Sequence, residues 1–172
     1  MINRCFWCSE DAEYIAYHDT EWGIPVRDDR HLFELLCLEG QQAGLSWLVV
    51  LRKRAHYRKV FKNFEIAPVS RMKDKTLEAL VSDAGLIRNR LKLFSIRSNA
   101  LAALALQKEF GSLESYFWRF VDNHPIDGGG RHASAIPART ALSDALCKDL
   151  KKRGFKFIGS TICYAFMQAG GL

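Results

Sequence analysis

Residues 151–161 read Lys151-Lys152-Arg153-Gly154-Phe155-Lys156-Phe157-Ile158-Gly159-Ser160-Thr161 and separate two segments with apolar residues at helical spacing. Two glycines around a short hydrophobic turn favour a helix-hairpin-helix, here predicted over about residues 141–169. The second helix of such a pair leaves its first backbone N–H groups unpaired, and these can face a phosphate. The alternative is a glycine helix cap beside lysines in solvent, and this stretch alone leaves both open.

Helical spacing also extends through the chain before this turn. A helix is predicted to follow an N-cap at Asp28-Asp29. Further helices are predicted over about residues 46–61, 74–81, 87–105, 113–121, 140–154 and 161–169. Residues 123–139 contain two prolines and three consecutive glycines and are predicted to form a surface loop. Because no segment shows the alternation typical of strands, the sequence predicts an all-α fold.

Composition limits the class of protein. The 172 residues are 48% hydrophobic and 26% charged, which is typical of one globular domain spanning 1–172. The net charge of +6 favours a polyanionic partner. There is no apolar run of about 18 residues and no signal-peptide pattern, so no membrane span is predicted. The five scattered cysteines do not indicate a disulfide framework, and we expect an intracellular, reduced protein.

Glu39 is the first candidate for chemistry. It ends the apolar run 32–38 and precedes the glycine-containing segment 40–44 and Trp47. An ionised carboxylate against an apolar surface is costly unless it is paired, so a cationic or hydrogen-bond-donating ligand could supply its partner. Trp47 could form a wall of the same pocket. The alternative is that Glu39 ends a helix facing water and Trp47 is a core residue.

Aromatic and metal-binding residue types are also present near the N-terminus. Flat rings can stack on a nucleobase, and tyrosine hydroxyls can donate to it. The candidates are Trp7, Tyr14, Tyr17, Trp22 and Trp47, although each alone is more often a packing residue. Cys5 and His18 could be halves of a zinc site, with Cys8 at Cys-x-x-Cys spacing. Structural zinc takes four ligands and no second half is evident, so these residues alone favour ordinary thiols.

Four segments in order resemble the bacterial 3-methyladenine DNA glycosylase I family of the helix-hairpin-helix superfamily. They are Cys5-Phe6-Trp7, Tyr14 to Gly23, Leu38-Glu39-Gly40-Gln41-Gln42-Ala43-Gly44-Leu45-Ser46-Trp47, and Lys151 to Tyr164. The match covers nearly the whole chain, and residues 39–47 are highly specific to the family. The resemblance implies a cytoplasmic, monomeric enzyme of base excision repair. It would bind double-stranded DNA, hydrolytically excise 3-methyladenine as the free base and leave an abasic site without lyase activity.

The resemblance also implies residue roles. Glu39 and Tyr17 would hydrogen-bond the methylated base, Trp47 would stack on it, and Trp7, Tyr14 and Trp22 would complete the pocket. Leu45, beside Gly44, would enter the DNA as a wedge. The hairpin residues expected to anchor the DNA backbone are Lys152, Gly154, Phe155, Lys156, Gly159, Ser160 and Thr161. Residues 160–168 contain no carboxylate, as the family's lack of a catalytic aspartate implies. We therefore hypothesise that Glu39 recognises and destabilises the bound base rather than activating water.

Zinc is the cofactor that the resemblance implies. The family joins an N-terminal cysteine and histidine to a histidine and cysteine near its C-terminus. Cys5 and His18 match the first pair, whereas this sequence stops at Leu172, about where the second pair would follow. Either the tail is missing from this sequence or the protein lacks the full site, so the implied metal site is partial here.

Two other classes of protein compete with the glycosylase interpretation. A non-catalytic module that senses DNA damage through the hairpin would explain the basic charge equally well, but it needs no pocket containing Glu39 and aromatic rings. A zinc-stabilised protein-interaction domain would explain neither the glycine hairpin nor Glu39.

Overall fold

A computed structural model describes residues 4–129 and 136–172, and every regular element in these ranges is helical. The all-α prediction is therefore confirmed. The α-helices are α1 (Ala12–Thr20), α2 (Asp29–Gln42), α3 (Trp47–Val60), α4 (Ile66–Ser70), α5 (Asp74–Leu80), α6 (Arg90–Phe110), α7 (Leu113–Trp118), α8 (Ala141–Lys152) and α9 (Ser160–Ala169). Short 3₁₀ turns span Lys62–Phe64 and Arg119–Val121. The middle of the predicted loop, 130–135, lies outside the described residues.

Three features of the helix pattern differ from the prediction, and the first is helix α4 over Ile66–Ser70, which was not predicted. Helix α6 was predicted over about residues 87–105 but spans Arg90–Phe110. The Asn89 side chain caps its start by accepting from Lys92 N, and Gly111, with a φ of 87°, follows its last residue. Helix α1 was not predicted. The Asp11 carboxylate caps it by accepting from the backbone of Glu13 and Tyr14. Asp11, an N-cap residue type, is thus the sequence signal that could have predicted this helix.

Helix α2 lies at the centre of the fold and contacts α3, α6, α7 and α9. Its residues 32–41 are all buried, as expected for a helix that is covered on every side. Asp28 caps its start by accepting from His31 N, as predicted. Any polar side chain in this segment must therefore find its partners inside the protein.

The predicted helix pair around residues 151–161 is present as α8 and α9, which pack against each other. Thr140 and Ser143 form a capping box at the start of α8. Gly154 adopts a φ of +90°, a conformation that favours glycine, and Gly159 is the N-cap of α9. Phe155 and Ile158 lie between these glycines in the sequence, and both side chains are buried in the core.

No helix in the described part of the chain is long and apolar enough to cross a membrane.

Candidate functional site

Glu39 is buried one turn before the end of α2, with only 3% of its surface exposed. The alternative in which it faces water is therefore wrong. Its Oε2 atom is buried and has no hydrogen-bond partner among the residues that the structure describes. Burial raises the pKa of Glu39 to about 8, because the surroundings disfavour the charged form. Among the described residues, Oε2 of this carboxyl group therefore lacks the partner that the ionised form requires.

Glu39 borders a cavity of about 190 Å³ that brings together all six residues predicted to form a base pocket. These are Trp7, Tyr14, Tyr17, Trp22, Glu39 and Trp47. Sites for drug-sized ligands occupy roughly 300–1,000 Å³, so this cavity suits a smaller, planar ring system. The lining combines flat aromatic walls with a carboxyl group.

The aromatic rings form two connected groups. The rings of Tyr17 and Trp47 lie 5.5 Å apart between centroids, and Trp7 lies 5.1 Å from Tyr14 and 5.2 Å from Trp22. Trp47 Nε1 is buried and, within the described ranges, has no hydrogen-bond acceptor. A buried donor and a buried acceptor, neither with a partner in the described part of the chain, therefore belong to residues that border the same cavity, and a polar ligand could satisfy both.

The two tyrosines keep their hydroxyl protons at neutral pH. Burial raises the pKa of Tyr17, and the nearby Glu39 raises it further. Burial also raises the pKa of Tyr14. Arg54 acts in the opposite direction, since its guanidinium carbon lies 5.7 Å from the Tyr17 ring centroid, but its effect on the pKa is smaller. Arg54 also forms a bidentate pair with Glu21 at 2.6 and 2.8 Å. Both hydroxyls can therefore act as hydrogen-bond donors to a ligand.

Three further lining residues were not predicted: Gln42, Ala165 and Gln168. Gln42 follows Glu39 by three positions on α2, which places the two side chains on one helix face, so the spacing could have identified it. Ala165 and Gln168 come from α9, more than 120 residues away along the chain. No local signal in the sequence connects α9 to this cavity.

The segment between Gln42 and Trp47 is exposed at the side of the cavity. Leu45 is 44% exposed, so its side chain is available to a partner molecule. Gly44 has a φ of +79°, and a Cβ atom there would meet nothing within 4 Å, so its conformation and not crowding favours glycine. Because its two ends line the cavity, this turn places Leu45 beside the pocket.

The hairpin presents most of its predicted DNA-contacting residues to solvent. Those classed as exposed are Lys152, Gly154, Lys156, Gly159 and Thr161, and Ser160 is half-buried. No side chain in the described ranges caps α9, so its first N–H groups are open to an anion. Phe155 is the buried member of this set. It is only 2% exposed and its N–H donates to Leu150 O, so it is a packing residue with no free donor.

The methyladenine glycosylase family model matches residues 7–172. The chain belongs to the methyladenine glycosylase family. It is 51% identical to DNA-3-methyladenine glycosylase 1 of Escherichia coli over 99% of this chain and 91% of that protein. It is 48% identical to DNA-3-methyladenine glycosylase of Haemophilus influenzae over 100% and 93%, respectively. A structure of 3-methyladenine DNA glycosylase I from Staphylococcus aureus, solved to explain 3-methyladenine recognition, superposes with a TM-score of 0.95 at 36% identity, covering 98% and 90%.

The zinc site expected from the methyladenine glycosylase resemblance is not supported by the described residues. Cys5 and His18 do lie together, but through a hydrogen bond from Cys5 N to His18 Nε2 of 3.2 Å. The other ring nitrogen of His18 lies 2.8 Å from Asp19 Oδ1. Within residues 4–129 and 136–172, no group of three or more histidine, cysteine or acidic residues could hold a metal. The described residues thus supply two of the four ligands that a structural zinc site takes, and the proposed mechanism does not depend on zinc.

Proposed function

We propose that this chain is a DNA-3-methyladenine glycosylase of base excision repair. It extrudes the alkylated nucleotide from duplex DNA, hydrolyses the N-glycosidic bond and releases 3-methyladenine, leaving an abasic site. The observation that carries the proposal is the buried Oε2 of Glu39 at the wall of an aromatic cavity, an atom that has no hydrogen-bond partner among residues 4–129 and 136–172. Membership of a family whose relatives carry this name supports it independently.

The charge of the damaged base explains how such a pocket discriminates. Methylation at N3 leaves adenine cationic in DNA, whereas normal adenine is neutral. A cationic base can pair with ionised Glu39 and gains cation–π attraction from the aromatic walls of roughly 0.5–2 kcal/mol per ring. A normal adenine would leave Glu39 either protonated or unpaired. Extruding a damaged base costs only a few kcal/mol, which is less than for a well-stacked normal one.

The same charge explains why no strong base is needed for hydrolysis. Methylation weakens the bond from N3-methyladenine to the sugar, and the leaving group requires no protonation. In our proposal Glu39 holds the cationic base through its carboxylate, Tyr17 donates to the base, and Trp47 stacks on it. Water then attacks a sugar with oxocarbenium character. The absence of a carboxylate from residues 160–168 is consistent with this division of roles.

Sequence-independent contacts would hold the DNA itself. The open N–H groups of α9 and the exposed Lys152 and Lys156 suit a phosphate, and the exposed Leu45 would fill the space that the extruded base vacates. The enzyme would act as a cytoplasmic monomer with no lyase step.

The decisive experiment is detection of the released base. The folded protein is incubated with methylated duplex DNA, and free bases are quantified by mass spectrometry after subtraction of spontaneous loss. We expect 3-methyladenine to be released with multiple turnovers. If a folded sample binds methylated DNA but releases no base, the chain is a non-catalytic damage-binding module instead.

Leu45→Gly is expected to weaken binding to a duplex that contains an abasic-site analogue by about tenfold, because the exposed wedge loses its apolar contact with the DNA. Affinity for free 3-methyladenine should stay within about twofold of the wild-type value, since Leu45 does not line the cavity. Fluorescence titration measures both affinities. The matched control is Ile126→Gly, another exposed apolar loop residue at 52% exposure, which should change neither. Equal loss of both affinities in Leu45→Gly would indicate a packing defect.

A further inference from the structure

Lys92, near the start of α6, is buried although lysine is almost never fully buried without a partner; only 7% of its surface is exposed. Its ammonium group donates to two backbone carbonyls, Gln41 O at 2.9 Å and Ala43 O at 2.6 Å. Ala43 is the C-cap of α2, and the exposed turn that carries Leu45 follows it directly. A cation at this position also faces the negative end of the α2 dipole. The Lys92 side chain thus fixes the start of the turn.

A second set of hydrogen bonds holds the same end of α2. The Gln41 side chain donates from Nε2 to Lys92 O at 3.0 Å and accepts from the Tyr57 hydroxyl at 3.1 Å. The Tyr57 oxygen in turn accepts from Ile87 N at 3.1 Å. Gln41 is fully buried, so these polar groups depend on one another for their partners. The end of α2 is therefore tied to α6 through both side chain and backbone of Lys92.

Asn99 makes the corresponding connection to the hairpin from the same helix. Its Nδ2 donates to Lys156 O at 3.1 Å, and its Oδ1 accepts from Lys156 N at 2.8 Å. This two-bond contact holds the backbone of the hairpin turn between the two glycines. Asn99 is 2% exposed, so a shorter side chain would leave the Lys156 backbone groups without these partners.

The positions of Lys92 and Asn99 place both contacts on one face of α6. They are seven residues apart, which corresponds to two helical turns and about 10.5 Å along the axis. A regular helix of this length is stiff, so it keeps the two attached turns at a constant separation. Helix α2 also approaches the hairpin directly, since a Cβ atom on Gly40 would lie 3.0 Å from Phe157 O.

We propose that Lys92 and Asn99 are positioning residues that set the distance between the Leu45 turn and the hairpin, so that both engage one DNA duplex together. This inference rests on the proposed function, because it assigns the two turns to a single DNA substrate. Neither residue lines the cavity. Their contribution therefore concerns the duplex and not the extruded base.

The test separates duplex binding from base binding in Lys92→Met and Asn99→Ala. Each variant should bind a duplex with an abasic-site analogue about tenfold more weakly, because a charge-assisted or bidentate contact is lost. Affinity for free 3-methyladenine should stay within about threefold. The matched control is Lys108→Met, which removes an exposed lysine from the same helix and should change neither affinity.

The double variant provides the sharper measurement. If the two contacts define one distance, the loss of duplex affinity in the double variant will be smaller than the product of the two single losses. The first substitution already releases the distance between the two turns, so the second has less left to change. Duplex affinity within about twofold of wild type in both single variants would overturn the inference, as would equal loss of free-base affinity. If one variant does not fold, the other decides by the same comparison. Wild-type release of 3-methyladenine tests the proposed function separately.

Discussion

Replacing Glu39 by glutamine is expected to lower the rate of 3-methyladenine release from methylated duplex by roughly 10- to 100-fold. Glutamine keeps the size of the side chain but cannot become an anion. Hydrogen bonds that involve a charged group contribute about 1.5–3 kcal/mol, and this range corresponds to the expected loss. Single-turnover release measured by mass spectrometry gives the rate, and titration with free 3-methyladenine gives the affinity for the base.

The matched control for this substitution is Glu13→Gln, which removes an exposed carboxylate from the first turn of α1. It should leave both release and base affinity unchanged. Full activity of Glu39→Gln together with unaltered base binding would contradict the role given to Glu39. Complete loss of activity with intact base affinity would instead indicate that Glu39 activates water.

The comparison of Glu34 with Glu39 shows where sequence reasoning reaches its limit. Both are glutamates in the apolar part of α2, and both are buried. Glu34 is satisfied by Arg30 at 3.0 Å and by Arg58 at 2.6 Å, the latter 24 residues later in the chain. Glu39 has no such partner for Oε2 in the described part of the chain. Spacing alone could not distinguish a structural ion pair from a ligand site, because the three-dimensional fold determines which arginine side chains lie beside each glutamate.

Features encoded locally were predicted well. The apolar spacing and glycines placed α8 and α9 within two residues of their observed ends, and Asp28 was identified as the cap of α2. The pocket required the family resemblance, since its walls come from the N-terminal segment, α2, α3 and α9. No sequence signal predicted the contacts of Lys92 and Asn99, because their partners lie 51 and 57 residues away along the chain. Contacts of that kind follow from packing and not from periodicity.

The pocket should also impose a pH dependence that follows from the same carboxyl group. With the pocket empty, burial raises the pKa of Glu39 to about 8, whereas a cationic base requires the ionised form. We therefore expect kcat/KM to rise almost tenfold per pH unit below about 8 and to level off above it. The value of kcat should vary less, because the bound cation stabilises ionised Glu39. Tyr14 and Tyr17 stay protonated over this range, since the pKa of each is raised.

The stability of the free protein should change in the opposite direction. The pKa of Glu39 is higher in the folded state than in the unfolded chain, so the folded state binds more protons between about pH 4.5 and 8. The free energy of unfolding should fall as pH rises through that window, by up to about 1.4 kcal/mol per unit, and the Glu39 contribution should then be constant. Urea unfolding across a pH series, for wild type and Glu39→Gln, isolates this contribution as a difference in slope. Two results would contradict this: parallel stability profiles for wild type and Glu39→Gln, or a kcat/KM that stays flat from about pH 6 to 9. Either would show that Glu39 is already ionised in the empty pocket, so that the base binds a carboxylate rather than displacing its proton.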